Sequence, residues 1–179
     1  MRGGEIRGLT WENVDFQRKM IYVRSTIIKE TGQFRLDSPK TQSSLRDIPM
    51  LDNVYLLLKK QKKWQSETRL LAGEEWRPIA GLENLVFTTG VGTPLDKEYL
   101  KNSMNGIIKR INKAGIEFAH ITMHTFRHTF ATRCIEKGMS PQTLKSILGH
   151  SKLSMTMDLY AHVLPDTKAE EMLKIANLF

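Results

Sequence analysis

The chain of 179 residues is 40% hydrophobic and 26% charged, a composition that is typical of one soluble globular domain and excludes intrinsic disorder. Its 27 Lys and Arg residues against 19 Asp and Glu residues give a net charge of +8, which favours a nucleic-acid partner but is also compatible with a basic protein that binds none. The single cysteine, Cys134, excludes an internal disulfide and fits a reducing cytoplasm, and no apolar run is long enough to span a bilayer. We therefore expect a cytoplasmic protein without a membrane partner.

The first part of the chain predicts a short helix and a small antiparallel sheet. The helix is predicted to end near Thr10. Residues 20–28 (MIYVRSTII), 33–36 and 46–49 predict three short strands, the first of them rich in β-branched and aromatic side chains. The polar segment 40–44 (KTQSS) between the last two strands is predicted to form the tip of a hairpin. The three strands together predict one small antiparallel sheet.

The rest of the chain is predicted to be mainly helical. Asp52 is expected to cap a helix through the lysine-rich stretch 59–63, and residues 73–84 predict a loop before a brief strand at 85–88. The remaining helices, most of which begin at a capping residue, are predicted over 96–114, 122–137, 140–149, 155–163 and 166–177. The predicted fold class is therefore α+β, mainly α-helical with a small three-stranded antiparallel sheet.

Two motifs in the last third of the chain combine residues that suit phosphate chemistry. His124 and Arg127 are three residues apart in the first turn of a predicted helix, where both side chains and the free backbone N–H groups can face one anion. His150 follows Gly149, is expected to project from the turn, and precedes Tyr160 by ten residues. Taken alone, each motif has an ordinary alternative, since HxxR also occurs on solvated helix faces and a tyrosine near a helix end is usually a packing residue.

A third pattern combines an arginine with a nearby carboxylate. Arg2 lies three residues before Glu5, and Lys40 lies in the predicted hairpin tip. A carboxylate beside an arginine can orient its guanidinium, which then binds phosphate through two donors. The alternative is an ordinary surface ion pair.

The order and spacing of these motifs are more specific than any one of them. The strings MRGGEIRGLTWENVD, SPKTQSSLRDIPM, HTFRHTFATRCIEKG and LGHSKLSMTMDLYAHV span the chain and resemble the tyrosine recombinase (phage integrase) family, most closely the integrases of phages and conjugative transposons. The resemblance implies the catalytic-domain fold of that family. It also implies a site-specific recombinase that cleaves and rejoins double-stranded DNA with no metal or other cofactor.

The resemblance further implies a role for each matching residue. Tyr160 matches the nucleophile that attacks the scissile phosphodiester and forms a 3′-phosphotyrosyl intermediate. The other matches are Arg2 and Arg127 as phosphate-binding arginines, Lys40 as the general acid to the leaving 5′-oxygen, His124 as the group that takes or shares the tyrosine proton, His150 as a hydrogen-bonding partner of the phosphate, and Glu5 as a supporting carboxylate.

The remaining tyrosines and histidines are assigned no catalytic role. Tyr22 is expected to pack in a strand, and Tyr55 and Tyr99 are expected to lie on helix faces. His128 lies one helical turn after His124, but no thiol or carboxylate nearby completes a zinc ligand set, so no metal site is expected.

We expect residues 1–179 to form a single catalytic domain that lacks the N-terminal core-binding domain of full-length family members. Full-length members act as tetramers on paired DNA sites. The helix predicted over 166–177 could dock on a neighbouring subunit, fold back on its own chain, or swap in a crystal dimer. Two alternatives stay open. One is a truncated DNA-binding fragment without catalytic activity, and the other is a type IB topoisomerase, although the spacing from His150 to Tyr160 and the small size favour the recombinase.

Overall fold

The computed structural model describes residues 1–38, residues 41–164 and the single residue 173. Within those residues the chain forms six α-helices and five β-strands. The helices are α1 Gly3–Arg7, α2 Asp52–Ala72, α3 Lys97–Lys113, α4 Met123–Glu136, α5 Pro141–Leu148 and α6 Ser154–Val163. The strands are β1 Val14–Asp15, β2 Met20–Val23, β3 Thr26–Glu30, β4 Gln33–Asp37 and β5 Arg46–Pro49.

The prediction of one strand over 20–28 is wrong, because the chain changes sheets in the middle of that segment. β2 pairs with β1 and β5, whereas β3 pairs with β4, and all of these pairs are antiparallel. Side-chain hydrogen bonds hold the break: Ser25 Oγ donates to Gly8 O at 2.9 Å, and Arg24 Nη1 donates to Arg46 O at 3.1 Å. Both residues lie between β2 and β3, and their side chains tie the break to α1 and to β5.

The predicted three-stranded antiparallel sheet exists, but one of its members differs. It consists of β1, β2 and β5, and the predicted strand 33–36 belongs to the separate pair β3–β4. The described residues 41–44 therefore lie between strands of two different sheets and are not a hairpin tip, and Gln42–Ser44 form a 3₁₀ turn. Lys40 lies outside the described residues.

Three of the six described helices begin at predicted capping residues. Thr122, Asp96 and Ser140 each accept a backbone N–H at the start of α4, α3 and α5. Asp52 does not cap α2, because it is already the first helical residue and its carboxylate pairs with Lys19 Nζ at 2.6 Å. The sequence therefore located the start of this helix but not the role of its acidic residue.

Two other predicted elements have different outcomes. The brief strand predicted at 85–88 is reduced to two isolated bridges, Thr10 with Leu85 and Thr88 with Pro94. The helix predicted over 166–177 lies, apart from residue 173, outside the described residues. Among the residues that are described, no helix combines the length and the apolar character that crossing a membrane requires.

Two apolar clusters organise the parts of the chain that carry the predicted site. The first joins the three-stranded sheet to α2 and contains Leu9, Val14, Ile21, Met50, Leu58 and Val86. The second lies between α4 and α5 and contains Ala131, Ile135, Leu144 and Leu148, with α6 packed against it. Contacts of α1 with β3 and of α5 with β5 join the helical part to the sheets. These contacts bring the motifs from both ends of the sequence together.

Gly8 allows α1 to end directly against β3. A methyl group at Gly8 would lie 2.6 Å from Ile27 N and 2.9 Å from Thr26 C, which are backbone atoms. We expect Gly8→Ala to lower the free energy of unfolding by about 1–3 kcal/mol in urea titrations. Gly106→Ala in α3 is the matched control, since nothing lies within 4 Å of the added methyl, and it should stabilise the helix by up to about 1 kcal/mol. Unchanged stability of Gly8→Ala would contradict this packing.

Candidate active site

Three arginine side chains converge on the C-terminal end of α5. The acceptors are consecutive backbone carbonyls: Ile147 O binds Arg46 Nε at 2.7 Å, Leu148 O binds Arg127 Nη2 at 2.5 Å, and Gly149 O binds Arg2 Nη2 at 3.1 Å. The last carbonyls of a helix lack partners within the helix and carry partial negative charge, so they are natural ligands for guanidinium groups. Gly149 ends α5 in the left-handed conformation (φ 67°, ψ 46°), which favours glycine.

Glu5 is the negative centre of this arginine cluster. Its side chain is only 4% exposed, and it binds Arg46 through two hydrogen bonds, Nη1 to Oε1 at 3.1 Å and Nη2 to Oε2 at 2.8 Å. Arg2 adds two more, from Nη1 to Oε1 at 3.0 Å and from its backbone N to Oε2 at 2.6 Å. Burial alone would raise the pKa of Glu5, but the hydrogen bonds from Arg46 and Arg2 outweigh it and lower the pKa to about 2. Glu5 is therefore ionised at neutral pH.

Arg127 has a buried hydrogen-bond donor that the described residues leave unused. Its Nη1 atom is buried and has no hydrogen-bond partner among the described residues. Burial, together with the positive charges of Arg2 and Arg46, lowers the pKa of Arg127 to about 10, so the group stays protonated at neutral pH. A buried donor without an acceptor is costly, and an anionic oxygen would satisfy it.

A cleft of about 550 Å³ opens beside the arginines. Arg2, Arg127 and the exposed His124 line it together, so three of the predicted site residues face one space. Its wall also contains Arg7, Lys97 and Lys101, which add positive charge. A cleft lined by one sign of charge concentrates ions of the opposite sign, so this one suits a polyanion.

His150 is brought to the same helix end, but it does not project from the turn as predicted. The residue is only 9% exposed, and its Nδ1 lies 3.0 Å from Oγ1 of the fully buried Thr156. The prediction failed because a histidine directly after the α5 terminus packs under α6 instead of facing solvent. Burial and the nearby Arg127 lower the pKa of His150, so its imidazole is neutral at neutral pH.

The lowered pKa of His150 gives a measurable titration. We expect its ring NMR signals to titrate with a midpoint below the ordinary value of 6.5. The unfolded chain takes up this proton near pH 6.5 and the folded chain only at lower pH. The free energy of unfolding should therefore fall as the pH drops through 6.5 towards the lowered pKa. A midpoint at or above 6.5 would contradict the buried environment.

Tyr160 is hydrogen-bonded to a backbone carbonyl and not to the arginine cluster in the part of the chain that the structure describes. It lies on α6, half-buried against the apolar cluster between α4 and α5, and its hydroxyl donates a hydrogen bond to Met139 O in the loop between those helices. Burial and the nearby Cys134 raise the pKa of Tyr160. The tyrosine is therefore a protonated phenol at neutral pH in this arrangement.

The other tyrosines lie in packing or surface positions. Tyr22 lies on β2 with the Arg24 guanidinium over its ring, Tyr55 packs edge-on against Phe16, and Tyr99 is an exposed residue of α3. No group of three His, Cys, Asp or Glu side chains that could hold a metal ion occurs within the described ranges.

Comparison with known proteins identifies the family. Residues 1–166 match the profile of the Phage integrase family. The chain belongs to the phage integrase family. This confirms the resemblance inferred from the motifs, and the similar solved structures below confirm the predicted mainly helical α+β fold of a tyrosine recombinase catalytic domain.

Several phage integrase family relatives come from mobile elements. The chain is 33% identical to "Tyrosine recombinase XerC-like" of Caldanaerobacter subterraneus subsp. tengcongensis, over all of this chain and 46% of that protein. It is 29% identical to the transposase from transposon Tn916 of Enterococcus faecalis, over 98% of this chain and 42% of that protein. The chain therefore spans about half the length of these relatives.

Solved structures of integrase family members give the same result for the fold. The Tn1549 transposon integrase in complex with transposon right end DNA superposes with a TM-score of 0.84 at 32% identity, covering 98% of this chain and 55% of that one. The XerA recombinase superposes with a TM-score of 0.64 at 23% identity, covering 97% of this chain and 52% of that one. The second likeness shows the fold alone.

Of the three clustered arginines in this phage integrase family member, Arg46 was not predicted from the sequence. It lies on β5 on the same face as the half-buried Ile48, so strand alternation would have placed it inward. A buried arginine requires acceptors, and Glu5 was the carboxylate already singled out. The signal was thus in the sequence, but the pairing joins residues 41 positions apart and needed the fold to be seen.

Proposed function

We propose that this chain is the catalytic part of a site-specific DNA recombinase, which cleaves and rejoins DNA strands through a covalent phosphotyrosyl intermediate. The observation that carries the proposal is the convergence of Arg2 and Arg127 on one helix end, with a buried Arg127 donor that lacks an acceptor among the described residues. Membership of the phage integrase family supports it, as does the likeness to an integrase solved in complex with transposon DNA.

The arginine cluster is suited to a phosphate in its transition state. Three guanidinium groups against the one carboxylate of Glu5 leave two positive charges in excess. A phosphodiester carries one negative charge and gathers a second as the pentacoordinate transition state forms. In the proposal Arg2 and Arg127 bind the non-bridging oxygens. The neutral His150 donates a hydrogen bond to the phosphate from the ring nitrogen that does not face Thr156.

Strand cleavage in this proposal begins when the Tyr160 hydroxyl leaves the Met139 carbonyl. The phenol oxygen bonds to phosphorus, the bond from phosphorus to the 5′-oxygen breaks, and the strand is held as a 3′-phosphotyrosyl ester. His124 takes the phenol proton, and Lys40, in the role its sequence position implies, gives a proton to the leaving 5′-oxygen. Attack of a 5′-hydroxyl on the phosphotyrosyl ester then frees Tyr160 and rejoins a strand.

The wider parts of the proposal concern partners and location. We propose double-stranded DNA as the partner, a cytoplasmic location, and assembly of the whole protein as a tetramer on paired sites. Residues 1–179 would act as one catalytic domain within that assembly. The net charge of +8 supports a DNA partner, because neutralised phosphates release their condensed counterions.

The experiment that tests the proposal detects the covalent intermediate. A duplex that binds the chain is first selected from a randomised pool. Versions of it are then nicked at successive positions. After cleavage next to a nick, the short released strand diffuses away, so that the strand cannot be rejoined and the adduct accumulates. We expect a protein–DNA adduct on denaturing gels that disappears in Tyr160→Phe. Tyr55→Phe, on the surface helix α2, is the matched control and should keep the adduct. Salt-sensitive binding without any adduct would instead support a DNA-binding module without catalysis.

A further inference from the structure

Arg46 differs from the other two arginines because its donors are already used inside the protein. Its side chain is 3% exposed. The guanidinium donates four hydrogen bonds: from Nε to Ile147 O at 2.7 Å, from Nη1 to Ser44 O at 2.9 Å and Glu5 Oε1 at 3.1 Å, and from Nη2 to Glu5 Oε2 at 2.8 Å. A side chain so enclosed does not reach a DNA phosphate. Its hydrogen bonds can therefore act on a bound phosphate only indirectly, through the groups that it holds.

The group that connects Arg46 to the cleft is Glu5. Arg46 grips both carboxylate oxygens, which fixes the plane of the carboxylate. The same carboxylate receives Arg2 Nη1 at 3.0 Å. Arg2 is 44% exposed and lines the cleft, so its guanidinium would otherwise sample many rotamers.

Arg46 also fixes the other anchor of the cluster. Its bond to Ile147 O holds the end of α5, where the next carbonyls bind Arg127 and Arg2. Its bond to Ser44 O holds the segment that follows Lys40 in the chain. One buried side chain therefore contacts three separate segments: α1 through Glu5, the end of α5 through Ile147, and the segment before β5 through Ser44.

We propose that Arg46 is a positioning residue for strand cleavage, which holds Glu5 and the α5 terminus so that Arg2 and Arg127 are aligned on the scissile phosphate. The inference rests on the proposed function and adds a residue to it. A purely stabilising role would not depend on the charge of the scissile phosphate. The positioning role does depend on it, because Arg46 aligns the arginines that bind this charge.

The first test separates binding from chemistry. Arg46→Gln is expected to slow adduct formation by about 10- to 100-fold, because small displacements of aligned groups are costly in rate. The Kd for the selected duplex should stay within about threefold, since the aligned contacts act mainly in the transition state. Arg46→Lys keeps the charge but cannot grip both carboxylate oxygens, so an intermediate rate is expected. Arg133→Gln, an exposed arginine on α4 paired with Glu136, is the matched control and should match wild type.

The second test asks whether the deficit follows the phosphate charge. In a duplex with a methylphosphonate at the scissile position, a methyl group replaces one non-bridging oxygen and the linkage is uncharged. If Arg46 acts by aligning Arg2 on the phosphate charge, the loss of adduct-formation rate in Arg46→Gln, relative to wild type, should be smaller on this uncharged duplex. The loss of rate in Arg2→Ala should be smaller to the same degree. An equal deficit on charged and uncharged linkages would overturn the proposal and leave a structural role.

The third test needs no DNA chemistry and keeps the two proposals distinguishable. With ¹⁵N-labelled arginine, rotation of the Arg2 guanidinium is expected to be slow in wild type and fast in Arg46→Gln, while the Arg133 signal is unchanged. Should Arg46→Gln fail to fold, the comparison is made with Arg46→Lys. Absence of a wild-type adduct would overturn the proposed function only. Unchanged Arg2 rotation in a folded Arg46 variant would overturn the positioning role.

Discussion

We expect the Arg127→Ala variant to form the phosphotyrosyl adduct about 100- to 1,000-fold more slowly than wild type under single-turnover conditions. Arg127 carries the buried Nη1 donor that lacks an acceptor among the described residues, and its Nη2 is fixed on Leu148 O at 2.5 Å. A donor that is held in place before the phosphate arrives costs no reorganisation when charge builds up. The rate constant, measured with excess protein on the nicked duplex, reports this contribution directly.

The same variant should not lose much stability. The low pKa of Arg127, about 10, means that burial and the charges of Arg2 and Arg46 oppose its charge in the folded state. Removing that charge offsets the lost hydrogen bond, so the free energy of unfolding should fall by no more than about 1 kcal/mol. Arg133→Ala, an exposed site farther along α4, is the control and should change neither quantity. A stability loss large enough to unfold the Arg127→Ala chain would contradict this account.

Glu5→Gln is expected to have the largest effect on stability. Glu5 is 4% exposed and is the carboxylate that the Arg2 and Arg46 guanidiniums share. Neutralising it leaves the arginines to repel one another without a counterion, and removal of one partner of a buried ion pair costs about 3–5 kcal/mol. Urea titration at pH 7 measures the loss. Glu30→Gln is the matched control, because Glu30 pairs with Arg35 on the surface and should cost less than about 1 kcal/mol.

The pH dependence provides a second measurement on Glu5. Its pKa is lowered from the ordinary 4.5 to about 2 in the folded chain. A lowered carboxyl pKa contributes stability that is present above the unfolded pKa and is lost as the pH falls through the folded one. The wild-type free energy of unfolding should therefore lose about 3 kcal/mol between pH 4.5 and pH 2 through this group. Glu5→Gln should lack that part of the decline, and an identical acid profile in the two chains would refute the assignment.

Local signals were enough to predict the helices and the residues near their ends. Thr122, Asp96 and Ser140 begin helices because their side chains accept N–H groups only a few residues away. The placement of Arg127 at the start of α4 and of His150 after α5 follows from those caps. The sequence alone therefore predicts that the HxxR and LGH motifs lie at helix ends.

Strand partners and side-chain environments depend on distant residues, and there the sequence was less informative. Ser25 lies in the break between β2 and β3, and its hydroxyl donates to Gly8 O, a contact that no pattern within 20–28 reveals. The burial of His150 depends on Thr156 of α6, and the resting position of Tyr160 depends on a carbonyl in a loop. These contacts follow from how the helices pack and are not set by local propensity.

The Tyr160 hydroxyl and the three arginines bind carbonyls near opposite ends of the short helix α5. Met139, which accepts the Tyr160 hydroxyl, lies just before α5, and the carbonyls that bind the three arginines lie at its other end. Eight helical residues span about 12 Å along the axis. Under the proposed function, the Tyr160 hydroxyl has to leave the Met139 carbonyl before it attacks the phosphate. Carbonyls near the two ends of one short helix thereby bind the tyrosine and the arginines that the proposed cleavage would bring to one phosphate.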